Sequence, residues 1–217
     1  MVLRKEGTVI KVKEMSYQEK YEGVLKNIRL YETTMPEFVR VHLGEDTVSD
    51  LHEEWQIGIK RPSIGSTPEE EYQAAYENWI WIEKTSFRFV RERMGEEGVR
   101  NMEQTILHAL IQQNKGWSLV MLNLVRLVSP ASAFKMLADQ MSYELQWLTP
   151  YVVTESSPQK LVIEIDRCKL LDYADTEDMC QVGCQQIYPR WMVNQFMADM
   201  SFERSGHRCT CTVRPLG

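Results

Sequence analysis

The spacing of apolar side chains changes once along this chain of 217 residues, close to Pro150. Up to that point apolar positions recur every three to four residues, which is the period of an amphipathic helix. Beyond it they alternate with polar positions, which is the period of a strand buried on one face. The pattern therefore predicts an α+β protein, helix-rich in its N-terminal two thirds, with a small four-stranded antiparallel sheet at the C-terminus.

The N-terminal part is predicted to be a helical arm. Apolar residues at helical spacing cover about 16–33, and Pro36 is expected to end this helix. The stretch 58–66 is rich in Pro, Gly and Ser and is interpreted as a linker. We therefore predict that residues 1–65 form the arm and its linker, and that residues 66–217 form a helical bundle with a C-terminal α+β module.

The apolar face of this arm allows two arrangements. The face consists of Tyr17, Tyr21, Leu25 and Ile28. If it packs on a second copy of the chain, the protein is a homodimer with an isologous contact. If the arm folds back, the same face joins the core of its own chain.

The clearest start of a helix in the main body lies at Thr67. Thr67 is predicted to be the N-cap, Pro68 the first helical residue and Glu70 the acidic partner of a capping box. Gly95 is expected to end this helix. The run 117–128 is apolar nearly all round, which predicts a buried central helix. Further helices are expected over about 96–113 and 130–148.

The last seventy residues are predicted to fold as a hairpin, a helix and a second hairpin. The first pair of strands is joined by the turn-forming residues 156–158, and the second pair by residues 205–207. The intervening helix is expected to break near Pro189. The predicted strands cover 151–154, 160–167, 200–204 and 208–214, and the predicted helix covers 178–187.

Composition narrows the classes of function. The formal net charge is −6, and no basic stripe interleaved with aromatic residues occurs, so nucleic acid is an unfavoured partner. No stretch has the length and apolarity of a signal peptide or membrane span, which favours a cytoplasmic protein and no membrane partner. No Gly-rich phosphate loop or G-x-S-x-G sequence is present, so nucleotide and serine-hydrolase chemistry are disfavoured.

All five cysteines lie in the last fifty residues. Period two places Cys209 and Cys211 on one face of the last strand. Helical spacing places Cys180 and Cys184 one turn apart on one face of the preceding helix. Both pairs are therefore able to face the same core or the same pocket. The fifth cysteine is Cys168.

Three interpretations of these cysteines stay open. They are small buried core residues, since free cysteine is among the most buried residue types. Alternatively, a structural zinc is held by thiolates, with His207 as a further ligand. In the third interpretation a thiolate of Cys184 or Cys209 is a nucleophile, with His207, Arg208 or Arg190 as its charged or proton-accepting neighbour. The zinc hypothesis uses Cys180, Cys184, Cys209 and Cys211.

Several short segments of the C-terminal module form a recognisable set: Arg167-Cys168-Lys169-Leu170-Leu171, Asp178-Met179-Cys180, Gly183-Cys184-Gln185, Tyr188-Pro189 and Phe202-Glu203-Arg204-Ser205-Gly206-His207-Arg208-Cys209. These segments resemble the L-2-amino-thiazoline-4-carboxylic acid hydrolase-like family, and the specific resemblance covers about fifty residues. The order of hairpin, helix and hairpin also resembles the 4-vinyl-reductase-type small-molecule-binding domains.

The first resemblance implies a hydrolase that opens a C–N bond in a small cyclic amidine, imide or thiazoline-like ring, without a cofactor. A thiolate of Cys184 or Cys209 would attack the ring carbon, and His207 or Asp178 would protonate the leaving nitrogen. The residues expected to bind the substrate are Arg190, Arg208, Tyr188 and Trp191. The second resemblance implies a different class, a non-catalytic small-molecule-binding domain with the zinc site described above.

Overall fold

The computed structural model describes residues 10–115 and 117–216, and its fold is α+β, as predicted. The helices come first along the chain and the strands follow after Pro150. The helices are α1 (Tyr17–Leu43), α2 (Glu45–Gly58), α3 (Pro68–Gln113), α4 (Trp117–Val128) and α5 (Pro130–Glu144). A short 3-10 helix, Leu145–Trp147, connects α5 to the sheet.

The sheet has four antiparallel strands in the order β1-β2-β4-β3. The two hairpins are the predicted ones, and β4 pairs with both β2 and β3, so the hairpins form one continuous sheet. The strands are β1 (Val152–Ser156), β2 (Leu161–Ile165), β3 (Ala198–Ser205) and β4 (Arg208–Pro215).

A helical connection joins the two hairpins, but Pro189 does not break it as predicted. A π-helix, Met179–Ile187, leads into α6 (Tyr188–Trp191), and a second π-helix, Met192–Phe196, follows. Pro189 lies in the first turn of α6, directly after the hydrogen-bond pattern changes from π to α, and the helical connection continues through it. The connection ends at Met197, which adopts a left-handed backbone conformation. A 3-10 helix, Lys169–Asp172, precedes it.

α1 begins as predicted and ends later. Ser16 and Glu19 form a capping box at its start, which matches the expected position. The helix continues through Pro36 instead of ending there, and it stops at Leu43. Met35 and Phe38 on either side of this proline are buried in the core. Their packing offsets the cost of a proline inside a helix.

The apolar face of α1 packs on its own chain. Ile28 is buried, and Tyr21 and Leu25 are partly buried against the same core. The centre of the Tyr17 ring lies 6.0 Å from the centre of the Tyr72 ring in α3. Within one chain, the arm therefore folds back on its own body, and the homodimer stays a prediction.

α3 starts and bends where the sequence predicted. Thr67 and Glu70 form the capping box, and Pro68 occupies the first turn. Gly95 has φ 65° and ψ −162°, which is not helical, so the segment consists of two helices that meet at a kink. The residue that was expected to end the first helix therefore changes its direction.

α4 lies at the surface, and the prediction of a buried central helix is wrong. Leu122 is buried against α5 and the sheet, but Leu127 and Val128 are 84% and 89% exposed. Val120 and Leu124 are exposed as well. A helix that is apolar on all sides is buried only if neighbours cover all sides, and α5 and the sheet cover one.

Two hydrophobic cores result from this arrangement. The larger one lies between α1, α2, α3 and the first π-helix, and the smaller one lies between α4, α5 and one face of the sheet. Leu145, Tyr188 and Trp191 pack against both cores. Across residues 10–115 and 117–216, no helix combines the length and apolarity that crossing a membrane requires.

Gly95 provides a test of the kink in α3. Its backbone conformation is one that only glycine adopts without strain, and an added Cβ would meet no atom within 4 Å. We therefore expect Gly95→Ala to lower the free energy of unfolding by about 1–3 kcal/mol through backbone strain alone. Urea unfolding measures this. Glu97→Ala, at an exposed position of the same helix, is the control and should change stability by less than about 0.5 kcal/mol. An equal effect of both substitutions would contradict the kink.

Candidate functional site

A cavity of about 520 Å³ lies between the two cores. Its size is in the range of clefts that bind small molecules. Charged residues of α1 and α5 line one end, and Glu22, Lys26 and Glu144 among them are exposed, so this end opens to solvent. Leu119 and Leu122 of α4 form part of the wall. The helix with the exposed apolar outer face is thus also a wall of the cavity.

One face of the sheet forms the floor of the cavity. Strand pairing places Ile163, Cys211 and Phe202 in one row across β2, β4 and β3. It places Ile165, Cys209 and Arg204 in the next row. All six side chains line the cavity. The prediction that Cys209 and Cys211 share a face of the last strand is confirmed.

The first π-helix forms the wall opposite the floor. Cys180 and Cys184 both line the cavity, as their spacing predicted. A π-helix has hydrogen bonds from residue i to i+5, and such turns occur frequently at functional sites. Gln185 follows Cys180 by five residues, and its Nε2 lies 3.7 Å from the Cys180 sulfur. Tyr188 and Trp191 extend the same wall toward the sheet.

All five cysteines line this one cavity, and all five are free thiols. Burial raises the pKa of four of these thiols, namely Cys168, Cys184, Cys209 and Cys211. The pKa of Cys209 is raised to about 11. A thiol with a raised pKa is protonated at neutral pH and is a poor nucleophile. The two cysteines that were predicted as nucleophiles, Cys184 and Cys209, are both in this group.

Cys180 differs from the other four because a cation touches its sulfur. Arg204 Nη1 lies 3.3 Å from Cys180 Sγ. The guanidinium is held in place by Glu177, at 2.9 Å, and by the carbonyl oxygen of Gly206, to which Nε donates at 3.0 Å. Reactive cysteines typically have a cationic neighbour of this kind. Cys180 is therefore the cysteine whose surroundings suit a nucleophile.

A buried carboxyl group lies behind Cys184. Glu83 of α3 is 5% exposed, and burial raises its pKa from 4.5 to about 8 against the opposing hydrogen bond from Tyr31. Together with Cys184 it lines a second, much smaller cavity of about 20 Å³. Glu83 lies directly against this part of the π-helix, since a Cβ at Gly183 would be 3.6 Å from Glu83 Oε1, an ordinary van der Waals distance. Glu83 is thus an acid that keeps its proton at neutral pH.

Of the eight residues predicted for the hydrolase site, four line the large cavity and four do not. Those in its wall are Cys184, Cys209, Tyr188 and Trp191. Arg208 alternates with Cys209 along β4, so its exposed side chain points away from the floor. His207 is 54% exposed in the turn after β3, with Nδ1 3.5 Å from Asp172 Oδ1.

The other two residues outside the wall belong to ion pairs with α3. Asp178 Oδ1 accepts a hydrogen bond of 2.8 Å from Arg91 Nη2. Arg190 pairs with Glu103, which is buried, and with Gln104. The structure therefore does not bring the predicted proton donors, His207 and Asp178, or the predicted cations, Arg190 and Arg208, into the cavity.

The four cysteines of the zinc hypothesis share the cavity without forming a metal site. Among residues 10–115 and 117–216, no three His, Cys, Asp or Glu side chains form a group that could hold a metal ion. Cys180 and Cys184 belong to the helical wall, whereas Cys209 and Cys211 belong to the floor.

Sequence reasoning missed two residues that matter here, Arg204 and Glu83. Both left a signal. Arg204 lies two residues from Phe202 on the face of a predicted strand that carries the apolar residues. Glu83 occupies a position that continues the apolar face of α3 after Trp79 and Ile80, where a charged residue is costly unless its environment compensates.

Comparisons with known proteins identify no relative. The chain matches no family model, no curated protein and no solved structure. The resemblance of the C-terminal segments to the hydrolase-like family therefore stays a prediction.

The buried acid provides a test of the site by its pH dependence. The folded chain keeps the Glu83 proton up to about pH 8, whereas an exposed carboxyl releases it near pH 4.5. Between these values the folded chain binds more protons, so the free energy of unfolding falls as the pH rises. Glu83→Gln lacks this loss. Between pH 5 and pH 8 we expect the free energy of unfolding of Glu83→Gln, minus that of wild type, to rise by roughly 3 kcal/mol.

Chemical unfolding at several pH values measures this difference. Glu92→Gln, at an exposed position of the same helix, is the control and should show a stability difference from wild type that does not change with pH. If the difference between Glu83→Gln and wild type is also flat, Glu83 is ionised in the folded chain and the assignment is wrong.

Proposed function

We propose that this chain binds a small, largely apolar molecule in the cavity between the sheet and the helices. The observation that carries the proposal is the cavity itself, with its volume of about 520 Å³ and its lining of apolar and sulfur-containing side chains. Sites of this kind typically combine an apolar wall with a few placed polar groups. Phe196, Trp191 and Phe202 supply flat aromatic surface to such a ligand.

The polar groups favour a ligand with an anionic or hydrogen-bond-accepting end. Arg204 lines the cavity, and its guanidinium has donors directed at Cys180 and at Glu177. A carboxylate or carbonyl oxygen near Cys180 would accept from the same guanidinium. The amide of Gln185 is a second donor at this point.

A hydrolase is the second candidate function, and the contact between Arg204 and Cys180 favours it. In this proposal the Cys180 thiolate, rather than that of Cys184 or Cys209, adds to the ring carbon of a small heterocycle. The C–N bond then breaks, the ring nitrogen takes up a proton, and water releases the product from the sulfur. The proton comes from solvent water, since Glu83, which keeps its own proton at neutral pH, lines the small cavity behind Cys184 and not the large one.

Filling the cavity from α4 tests the binding proposal. Leu119 lines the cavity, whereas Leu127 lies on the exposed outer face of the same helix. We expect Leu119→Trp to raise the Kd of an apolar anionic dye, anilinonaphthalene sulfonate, by about tenfold or more because the indole occupies ligand volume. Leu127→Trp should leave the Kd within about twofold. Fluorescence titration measures both.

The matched pair separates the cavity from the exposed apolar surface of α4. If Leu127→Trp changes the affinity and Leu119→Trp does not, the dye binds to the outside of α4 and the proposal fails. Circular dichroism and thermal unfolding check that both variants are folded.

Ring opening of 2-amino-thiazoline-4-carboxylate, followed by liquid chromatography, tests the hydrolase proposal. If the chain has this activity, Cys180→Ala should lower kcat by roughly a hundredfold or more, because the nucleophile is lost. Cys211→Ala removes a thiol from the floor of the same cavity and is the matched control. Equal rates for Cys180→Ala and wild type would exclude Cys180 as the nucleophile. Dye binding without any ring opening would support the first function alone.

A further inference from the structure

The Cys180 thiol has a second cysteine within reach of the same cation. β3 and β4 pair so that Arg204 lies directly opposite Cys209. Side chains at directly opposite positions of antiparallel strands are neighbours on one face of the sheet. The guanidinium of Arg204 extends from this position to the Cys180 sulfur. Cys180 and Cys209 therefore approach the same side chain, one from the helical wall and one from the floor.

The electrostatics of the site agree with this placement. Burial raises the pKa of Cys209 most, Cys180 and Cys168 raise it further, and Arg204 lowers it. The Cys180 and Cys209 sulfurs therefore lie within electrostatic reach of each other and of the guanidinium. Cys180 raises the pKa of Cys168 and Cys184 in the same way, so the choice of Cys209 rests on the strand register and on the contact of Arg204 with Cys180. Burial raises the pKa of Cys211, two residues further along β4, and Cys209 raises it further, but Cys180 is not among the causes of this shift.

The other two cysteines are less suited to pair with Cys180. Backbone N–H groups of Leu170 and Leu171 donate to the Cys168 sulfur, which fixes it in the 3-10 turn. Cys184 lies on the same π-helix as Cys180, so the spacing between them is set by that helix. Cys209 instead faces Cys180 from a different element.

We propose that Cys180 is an oxidation site and that Cys180 and Cys209 form a reversible disulfide after reaction with a hydroperoxide. The Cys180 thiolate attacks the peroxide oxygen, so that the O–O bond breaks and an alcohol or water leaves. The sulfur becomes a sulfenic acid. The Cys209 thiol then attacks this sulfur, the S–O bond breaks, water leaves and the S–S bond forms. The two thiols supply the two electrons that reduce the peroxide.

Such a disulfide would change the cavity. It joins the helical wall to the floor at the position of Arg204, where both sulfurs line the ligand space. The oxidised chain would therefore have less room for a ligand at its polar end. The oxidation itself does not depend on ligand binding, so its failure leaves the proposed function standing, and the reverse is also true.

The test is peptide mapping of the full chain after treatment with hydrogen peroxide and quenching with a maleimide. We expect one disulfide, between Cys180 and Cys209, with about one peroxide consumed per disulfide. Dithiothreitol should reverse it. Cys209→Ser should leave a sulfenic acid on Cys180 that dimedone traps. Cys211→Ser is the matched control and should form the disulfide as wild type does.

Arg204→Met tests whether Cys180 is oxidised because the cation activates its sulfur or only because Cys209 is near. It keeps most of the side-chain length and removes the charge, so oxidation of Cys180 should slow by about tenfold. A disulfide that joins Cys180 to Cys168 or Cys184 would overturn the assignment of Cys209. Oxidation of other cysteines while Cys180 stays reduced would overturn the proposal as a whole.

Discussion

The structure depends on how residues 179–196 pack between the two hydrophobic cores. Met179 and Ile187 join the core around α3, Met192 joins the core above the sheet, and Tyr188 and Trp191 contact both. A segment held on both sides has little freedom to move toward either core. The space that it leaves above the sheet is the cavity, and the same packing directs Cys180 and Cys184 into that space.

The sequence predicted those parts of the fold that local patterns determine. The change of period near Pro150 and the capping box at Thr67 are seen in the structure, and the helix end predicted at Gly95 is seen as a kink between two helices. The failures at Pro36, Pro189 and α4 have a common cause. Each depends on which neighbours cover a helix, and tertiary packing overrides the local preference of a proline or an apolar run.

For the candidate site, too, the sequence predicted what local patterns determine and missed what depends on long-range contacts. Periods of two and of one helical turn placed two pairs of cysteines on shared faces, and the cavity brings both pairs together. The contact between Arg204 and Cys180 was not predictable, because it depends on the register of β3 with β4 and on the position of the π-helix above them. Glu83 approaches the cysteines from α3, a hundred residues earlier in the chain, which no local pattern encodes.

Arg204 divides its hydrogen bonds between Glu177 and Cys180, and these two partners differ in their exposure to solvent. The Glu177 side chain is 57% exposed, so solvent and salt screen its attraction to the guanidinium. Cys180 is 7% exposed, and the guanidinium donates to its sulfur at 3.3 Å. Glu177 and the carbonyl oxygen of Gly206 hold the guanidinium where it reaches this buried sulfur. Both the reaction with a ligand and the reaction with a peroxide would depend on that position of Arg204.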